Sequence, residues 1–242
     1  VFPLPIIRSR YPKIGQQTVT AVGHSDLKSL VQMLHRFRPH AQAILDQPTA
    51  RSEQSHQSAK IILEESQRMN KLVMGLLTLA RLDAGMVESR KESVDLAGLL
   101  RNVLERLSPQ AQNAQVKLVS ELSSVPIITT DAESLTQVFV NLIDNAIKYT
   151  KTGGVVTVYC QQQGQNIEVH VLDTGAGISE KDQSRIFERF YQVDRSRSGG
   201  ARRGVGLGLS IARQFICSIG GEITVKSKPG EGSDFMVKIP IV

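Results

Sequence analysis

From about Ser52 to Leu82 the chain reads as one long amphipathic helix. Ile61, Ile62, Met69, Leu72, Val73, Leu76, Leu77 and Leu79 lie along it at helical spacing and include a near-heptad apolar stripe. A stripe of that length needs another apolar face to cover it. The preceding segment, about residues 24 to 47, offers one. Leu27, Leu30, Val31, Leu34, Phe37, Ala41, Ile44 and Leu45 recur every three or four residues, with Pro39 inside the run and Gln47-Pro48-Thr49 closing it. Two such helices joined by a short turn make a helical hairpin. One hairpin cannot bury both stripes, so residues 20–86 are expected to dimerise into a four-helix bundle. Packing against the rest of the chain is the competing arrangement. Residues 1–19, with Pro3, Pro5 and Pro12, read as a linker or irregular end. Gly85 is placed to cap the second helix at its C-terminus.

The texture changes at about residue 92. Residues 96–112 read as a helix and 115–122 as a strand. Residues 131–150 read as a long helix with Asp131 as N-cap, and 155–161 and 166–173 as a strand pair turning at Gly164. A glycine-rich stretch at 199–208 opens a helix over 207–219, and strands follow at 221–227 and 233–241. Strands in runs, with helices to one side, predict an α+β sandwich over 92–242 and not a regular parallel sheet.

Composition narrows the functions. Two cysteines, Cys160 and Cys217, cannot build a disulfide framework or a four-ligand zinc site, which fits a reducing compartment. No apolar run reaches the roughly 18 residues that span a bilayer, so no membrane span is expected within this chain. The net charge is +6, but residues 1–90 hold twelve Lys and Arg against seven Asp and Glu, while 91–242 hold seventeen against sixteen. The excess is N-terminal and scattered, so it predicts a solvated face and no nucleic-acid partner.

Four short segments carry chemistry. In Asn-Leu-Ile-Asp-Asn-Ala-Ile-Lys-Tyr-Thr at 141–150, Asn141 and Asn145 are four apart and share a helical face, with Lys148 three further on. Val138, Leu142, Ala146 and Ile147 hold the helix to a core. An amide oxygen suits Mg²⁺ and a lysine can neutralise a phosphate, although two asparagines on a helix are more often solvated surface. In Val-Leu-Asp-Thr-Gly-Ala-Gly-Ile-Ser at 171–179, Asp173 ends an apolar strand and can accept from an exocyclic amine. Gly175 and Gly177 allow a tight turn and close approach of a flat ligand, or simply an ordinary turn. Gly204, Gly206 and Gly208 precede a helix whose free N–H groups can cradle a phosphate, flanked by Arg202 and Arg203. Gly230-Glu231-Gly232-Ser233 reads alone as a hairpin turn.

Taken in order, these segments resemble the ATP-binding domain of two-component sensor histidine kinases, in the wider family shared with gyrase, Hsp90 and MutL. The asparagine box corresponds to 137–150, the two main glycine boxes to 173–177 and 204–208, and the last to 230–233. The phenylalanine-centred Arg-Ile-Phe-Glu-Arg-Phe-Tyr-Gln-Val-Asp at 185–194 and the Ala-Arg-Leu-Asp-Ala-Gly hinge at 80–85 are specific to histidine kinases. The resemblance covers about 52–242. It implies that Asn145 binds Mg²⁺, Asn141 lies near the phosphates, Lys148 reaches a phosphate, and Tyr149 covers the adenine face. It implies that Asp173 binds the adenine amine and that Gly175 and Gly177 line the base pocket. Gly204, Gly206 and Gly208 would hinge a lid over the triphosphate, with Arg195, Arg197, Arg202 and Arg203 as its cations.

The acceptor histidine has two candidates. The family pattern resembles His-Glu-Leu-Arg-Thr-Pro-Leu. His24, followed by Ser-Asp-Leu-Lys-Ser-Leu, has one extra residue before its acid and lacks the proline. His35, followed by Arg-Phe-Arg-Pro, keeps the proline but has a cation in place of the acid. Residues 1–40 depart from the family pattern and 41–242 follow it. The resemblance therefore implies the cytoplasmic core of a membrane-associated sensor: a homodimer using ATP and Mg²⁺, autophosphorylating on histidine and passing the phosphoryl group to an aspartate of a response-regulator receiver domain. The alternative is an ATP-binding dimeric scaffold without a competent acceptor. A gyrase- or MutL-like ATPase fits less well, because the hinge and phenylalanine box are histidine-kinase features. His170, within a strand, is expected to be structural.

Overall fold

The structure, a computed structural model, describes residue 42 and residues 53–84, 91–193 and 206–241. The first helix of the expected hairpin lies outside these residues apart from Gln42. The second is helix α1, Glu53–Asp83. There follow β1 (Glu92–Val94), α2 (Leu96–Asn113), β2 (Lys117–Leu122), β3 (Ile128–Thr130) and α3 (Ala132–Tyr149). Then come β4 (Val155–Gln163), β5 (Asn166–Asp173), the short α4 (Glu180–Gln183), α5 (Gly208–Ser218), β6 (Glu222–Lys228) and β7 (Gly232–Pro240).

Five strands form one sheet in the order β2-β4-β5-β7-β6. The β2–β4 pair is parallel and the rest are antiparallel. Helices α2, α3 and α5 share a single core with one face of that sheet, so the domain is the expected α+β arrangement. Strict alternation makes it so. Val156, Val158 and Cys160 of β4, Ile167, Val169 and Val171 of β5, and Phe235, Val237 and Ile239 of β7 all point inward and are buried. Leu135, Val138, Phe139, Leu142, Ile143, Ala146 and Ile147 form the apolar stripe of α3 that meets them. On the opposite face of the sheet, His170 stacks on Tyr159 at 4.4 Å, and its Nδ1 lies 2.9 Å from the Asp234 carboxylate. His170 lies within β5, the strand in which the sequence placed it.

Two capping aspartates set the helix starts. Asp95 accepts from the Gly98 N–H, and Asp131 accepts from the N–H and hydroxyl of Ser134. The sequence reading omitted β1 and β3, which pair antiparallel as a separate two-stranded ribbon. Three residues per strand are too few for alternation to show. The ribbon buries Val94 and Ile128 and delivers the chain to Asp131, and so fixes where α3 begins.

Candidate functional site

The site begins with the parity of β5. Ile167, Val169 and Val171 face the helices, and the next residue of the same parity is Asp173. A strand of period two therefore turns a carboxyl group into the apolar layer at the sheet's end, where Asp173 is only 8% exposed. Burial pushes its pKa up, against the lowering effect of the hydrogen bonds it accepts. The Gly175 N–H donates to Oδ1 at 2.8 Å, and the hydroxyl and N–H of Ser233 add to the lowering of the pKa. Ser233 stands directly opposite Asp173 in the β5–β7 register.

Helix α3 supplies the second wall. Asn141 and Asn145 lie on one face as expected, but their surroundings differ. Asn141 donates through Nδ2 to the Gly208 carbonyl at 3.3 Å and accepts from Gln137 at 3.2 Å. It ties α3 to the first residue of α5. Asn145 is half-buried and has no side-chain hydrogen bond among the described residues, so its amide is available. Lys148 places its ammonium 4.9 Å from the ring centroid of Tyr149, which is itself 53% exposed.

The glycines join these walls. A Cβ at Gly175 would lie 2.5 Å from the Tyr149 carbonyl oxygen, and the Ala176 N–H donates to that same oxygen at 3.2 Å. The end of α3 and the loop after Asp173 are thus in direct backbone contact. Gly177, at φ +67°, has its absent Cβ position only 1.9 Å from the Lys228 carbonyl oxygen. The close approach allowed by its missing side chain is taken up by the protein's own backbone. Ser227 knots the same region. Its hydroxyl accepts the Ile178 N–H at 2.8 Å and donates to the Gly232 carbonyl at 2.7 Å.

Helix α5 starts at Gly208 with no side-chain cap bond from Leu207 and no acidic residue in its first turn, and a helix N-terminus of this kind suits an anion. Gly206, at φ +75°, accepts the Phe190 N–H at 2.8 Å. Arg202, Gly204, Arg195, Arg197 and Arg203 lie outside the described residues, as do His24 and His35.

A family described as "Histidine kinase-, DNA gyrase B-, and HSP90-like ATPase" matches residues 130–242. Sensor protein SrrB of Staphylococcus aureus (strain MRSA252) is 33% identical over 222 residues, covering 92% of this chain and 37% of SrrB. Residues 130–242 belong to that ATPase family, and the chain as a whole is similar to sensor histidine kinases. The crystal structure of full-length ShkA in complex with AMPPNP is similar, with a TM-score of 0.70 and 30% identity over 89% of this chain and 46% of ShkA. The Acinetobacter baumannii histidine kinase AdeS has a TM-score of 0.63 over 89% of this chain and 97% of its own, at 24% identity, and shows the fold alone. The chain thus spans about a third of the length of SrrB and just under half of that of ShkA. No described helix is long and apolar enough to cross a membrane.

Two residues of this candidate site have no signal in the sequence: Ser233 reads there only as part of a turn, and Ser227 carries no motif. Both are set by the register of β6, β7 and β5, which pairs residues tens of positions apart and leaves no local pattern.

Proposed function

We propose that the chain is the cytoplasmic core of a sensor histidine kinase. Residues 20–86 form the dimerising hairpin that carries the acceptor, and residues 92–242 bind Mg·ATP. The observation that carries the reading is Asp173, a buried carboxylate aimed into the helix–sheet layer beside an exposed tyrosine and a glycine loop. A buried carboxylate with spare acceptor capacity suits the amino group of adenine. The AMPPNP bound to the related ShkA supports a nucleotide there. The amide of Asn145, without a hydrogen-bond partner among the described residues, is the group that would hold Mg²⁺, and Lys148 and the start of α5 suit the phosphates. When bound, the cation neutralises phosphate oxygens.

The chain's residues then position rather than react. A neutral imidazole nitrogen of His24 or His35 forms the bond to the γ-phosphorus as its bond to the bridging oxygen breaks. ADP departs with that electron pair, and the ring's other nitrogen releases its proton. An aspartate of a receiver domain next takes the phosphoryl group and frees the histidine. Dimerisation is supported by Ile62, Met69 and Leu76, which are spaced by seven on α1 and are all substantially exposed.

Incubation of the chain with γ-labelled Mg·ATP tests this. The expected result is an acid-labile, base-stable label that is lost in His24→Ala or in His35→Ala. Tight ATP binding with no label would instead favour the nucleotide-binding scaffold.

A further inference from the structure

The end of helix α1 is fastened to the ATP-binding domain by a contact that the nucleotide site does not use. Arg189 Nη2 donates to both carboxylate oxygens of Asp83, each at 2.8 Å. Gln214 Nε2 on α5 donates to Asp83 Oδ1 at 3.3 Å. One carboxylate on the hinge thus receives donors from two separate parts of the ATP-binding domain. An apolar face backs this junction. Gly75, Leu79 and Leu82 lie at i, i+4 and i+7 on α1; the first two are buried, and Leu82 packs against the domain's core. A Cβ on Gly75 would meet Leu207 at 2.9 Å, so the helices touch closely just before the first turn of α5. Arg189 also adjoins Phe190, whose unusual φ of +64° accompanies its backbone bond to Gly206.

We propose that Asp83, Arg189 and Gln214 form a releasable latch that holds the ATP-binding domain in one arrangement on α1. Its role in turnover rests on the kinase reading above. The chemistry needs two arrangements. The imidazole must meet the γ-phosphorus in one step, and the phosphohistidine must meet a separate receiver domain in the next. A domain fixed in one place cannot serve both. The ion pair is suited to release, because Arg189 and Asp83 keep 45% and 43% of their side-chain surface in water. An exposed ion pair biases an equilibrium by about two- to five-fold, enough to set a resting state and weak enough to break in each cycle.

Charge reversal tests the latch on the full chain. Hydrogen exchange of the last turn of α1 and the first turn of α5 reads docking whether or not the protein is active. Asp83→Arg and Arg189→Asp singly should raise exchange there by about two- to five-fold, and the double reversal should restore it. The initial rate of histidine labelling should rise by a similar factor in each single variant and return in the double, with ATP affinity unchanged throughout. Unaltered exchange in the single variants, or a double variant as loose as the singles, would overturn the contact. Restored exchange without a matching change in labelling would make the pair a structural clamp and overturn the latch. Wild-type chain that binds ATP but takes up no label would sink the kinase reading and the latch's part in turnover, while exchange would still decide the contact.

Discussion

Asp173 on β5 and Ser233 on β7 occupy the same register position, and the hydroxyl and N–H of the serine both act to lower the pKa of the aspartate. Even so, burial dominates and raises the carboxyl pKa. The sign of the consequence is definite. An unfolded aspartate loses its proton near pH 4, and the folded one loses it only at higher pH. Stability therefore falls as pH rises across that interval, and at neutral pH the ionised side chain weakens the fold. Asp173→Asn should leave thermal stability equal or higher at pH 7 and flatten the decline, by comparison of melting curves at several pH values. It should weaken ATP binding at least about tenfold, the scale of a hydrogen bond to a charged group. A large loss of stability would mean that the carboxylate serves the fold.

The two asparagines should separate in the same way. Asn145 has no protein partner among the described residues, so Asn145→Ala should cost little stability, within about 0.5 kcal/mol. Its loss should appear as a failure of Mg²⁺ to strengthen nucleotide binding, read by titration with and without the cation. Asn141→Ala removes the bond to Gly208 and should destabilise by about 0.5–1.5 kcal/mol in denaturant unfolding.

Gly177 and Gly164 have nearly the same φ, +67° and +61°, but different surroundings. Nothing lies within 4 Å of a Cβ at Gly164, whereas one at Gly177 would collide with the Lys228 backbone. Gly164→Ala should cost about 1 kcal/mol for its backbone conformation alone. Gly177→Ala should cost clearly more, because the strand end at Lys228 must move. Equal unfolding midpoints for the two variants would contradict the packing described.

Much of this was legible. Helical spacing put Asn141 and Asn145 on one face, alternation located β4 and β5, and Asp131 marked the start of α3. Those signals are local, since each is set by the period of one element. What stayed hidden depends on pairing between distant segments. Asp83 and Arg189 are 106 residues apart and look like ordinary surface charges in sequence. Gly177 reads as a ligand-facing glycine until the Lys228 backbone is placed against it. Ser233 becomes a partner of Asp173 only once β7 lies beside β5.

The exposed line on α1 gives a prediction about assembly. Ile62, Met69 and Leu76 are 51%, 46% and 43% exposed, and the described part of the ATP-binding domain does not cover them. Met69→Lys combined with Leu76→Lys should lower the molar mass in light scattering from dimer to monomer, while the melting of the ATP-binding domain stays in place. A wild-type chain that is monomeric at micromolar concentration would refute the bundle.

Ser227 should act on the nucleotide site without touching it. Its hydroxyl accepts from Ile178, just past Gly177, and donates to Gly232, just before Ser233. Gln183 adds a bond from its side chain to the Ser227 carbonyl at 2.8 Å. One oxygen therefore fixes the spacing between the loop after Asp173 and the turn that brings Ser233 to it. Ser227→Ala leaves an N–H and a carbonyl without their partner in a half-buried position, which costs about 1–3 kcal/mol. Thermal unfolding should show that loss, and ATP affinity should fall several-fold because the Asp173–Ser233 pair is no longer held at its register. Ser227→Thr keeps the hydroxyl and should recover affinity if the added methyl fits. Weaker ATP binding in the alanine variant with restoration in the threonine variant supports the role, and unchanged affinity in Ser227→Ala despite lower stability would reduce Ser227 to a purely structural bond.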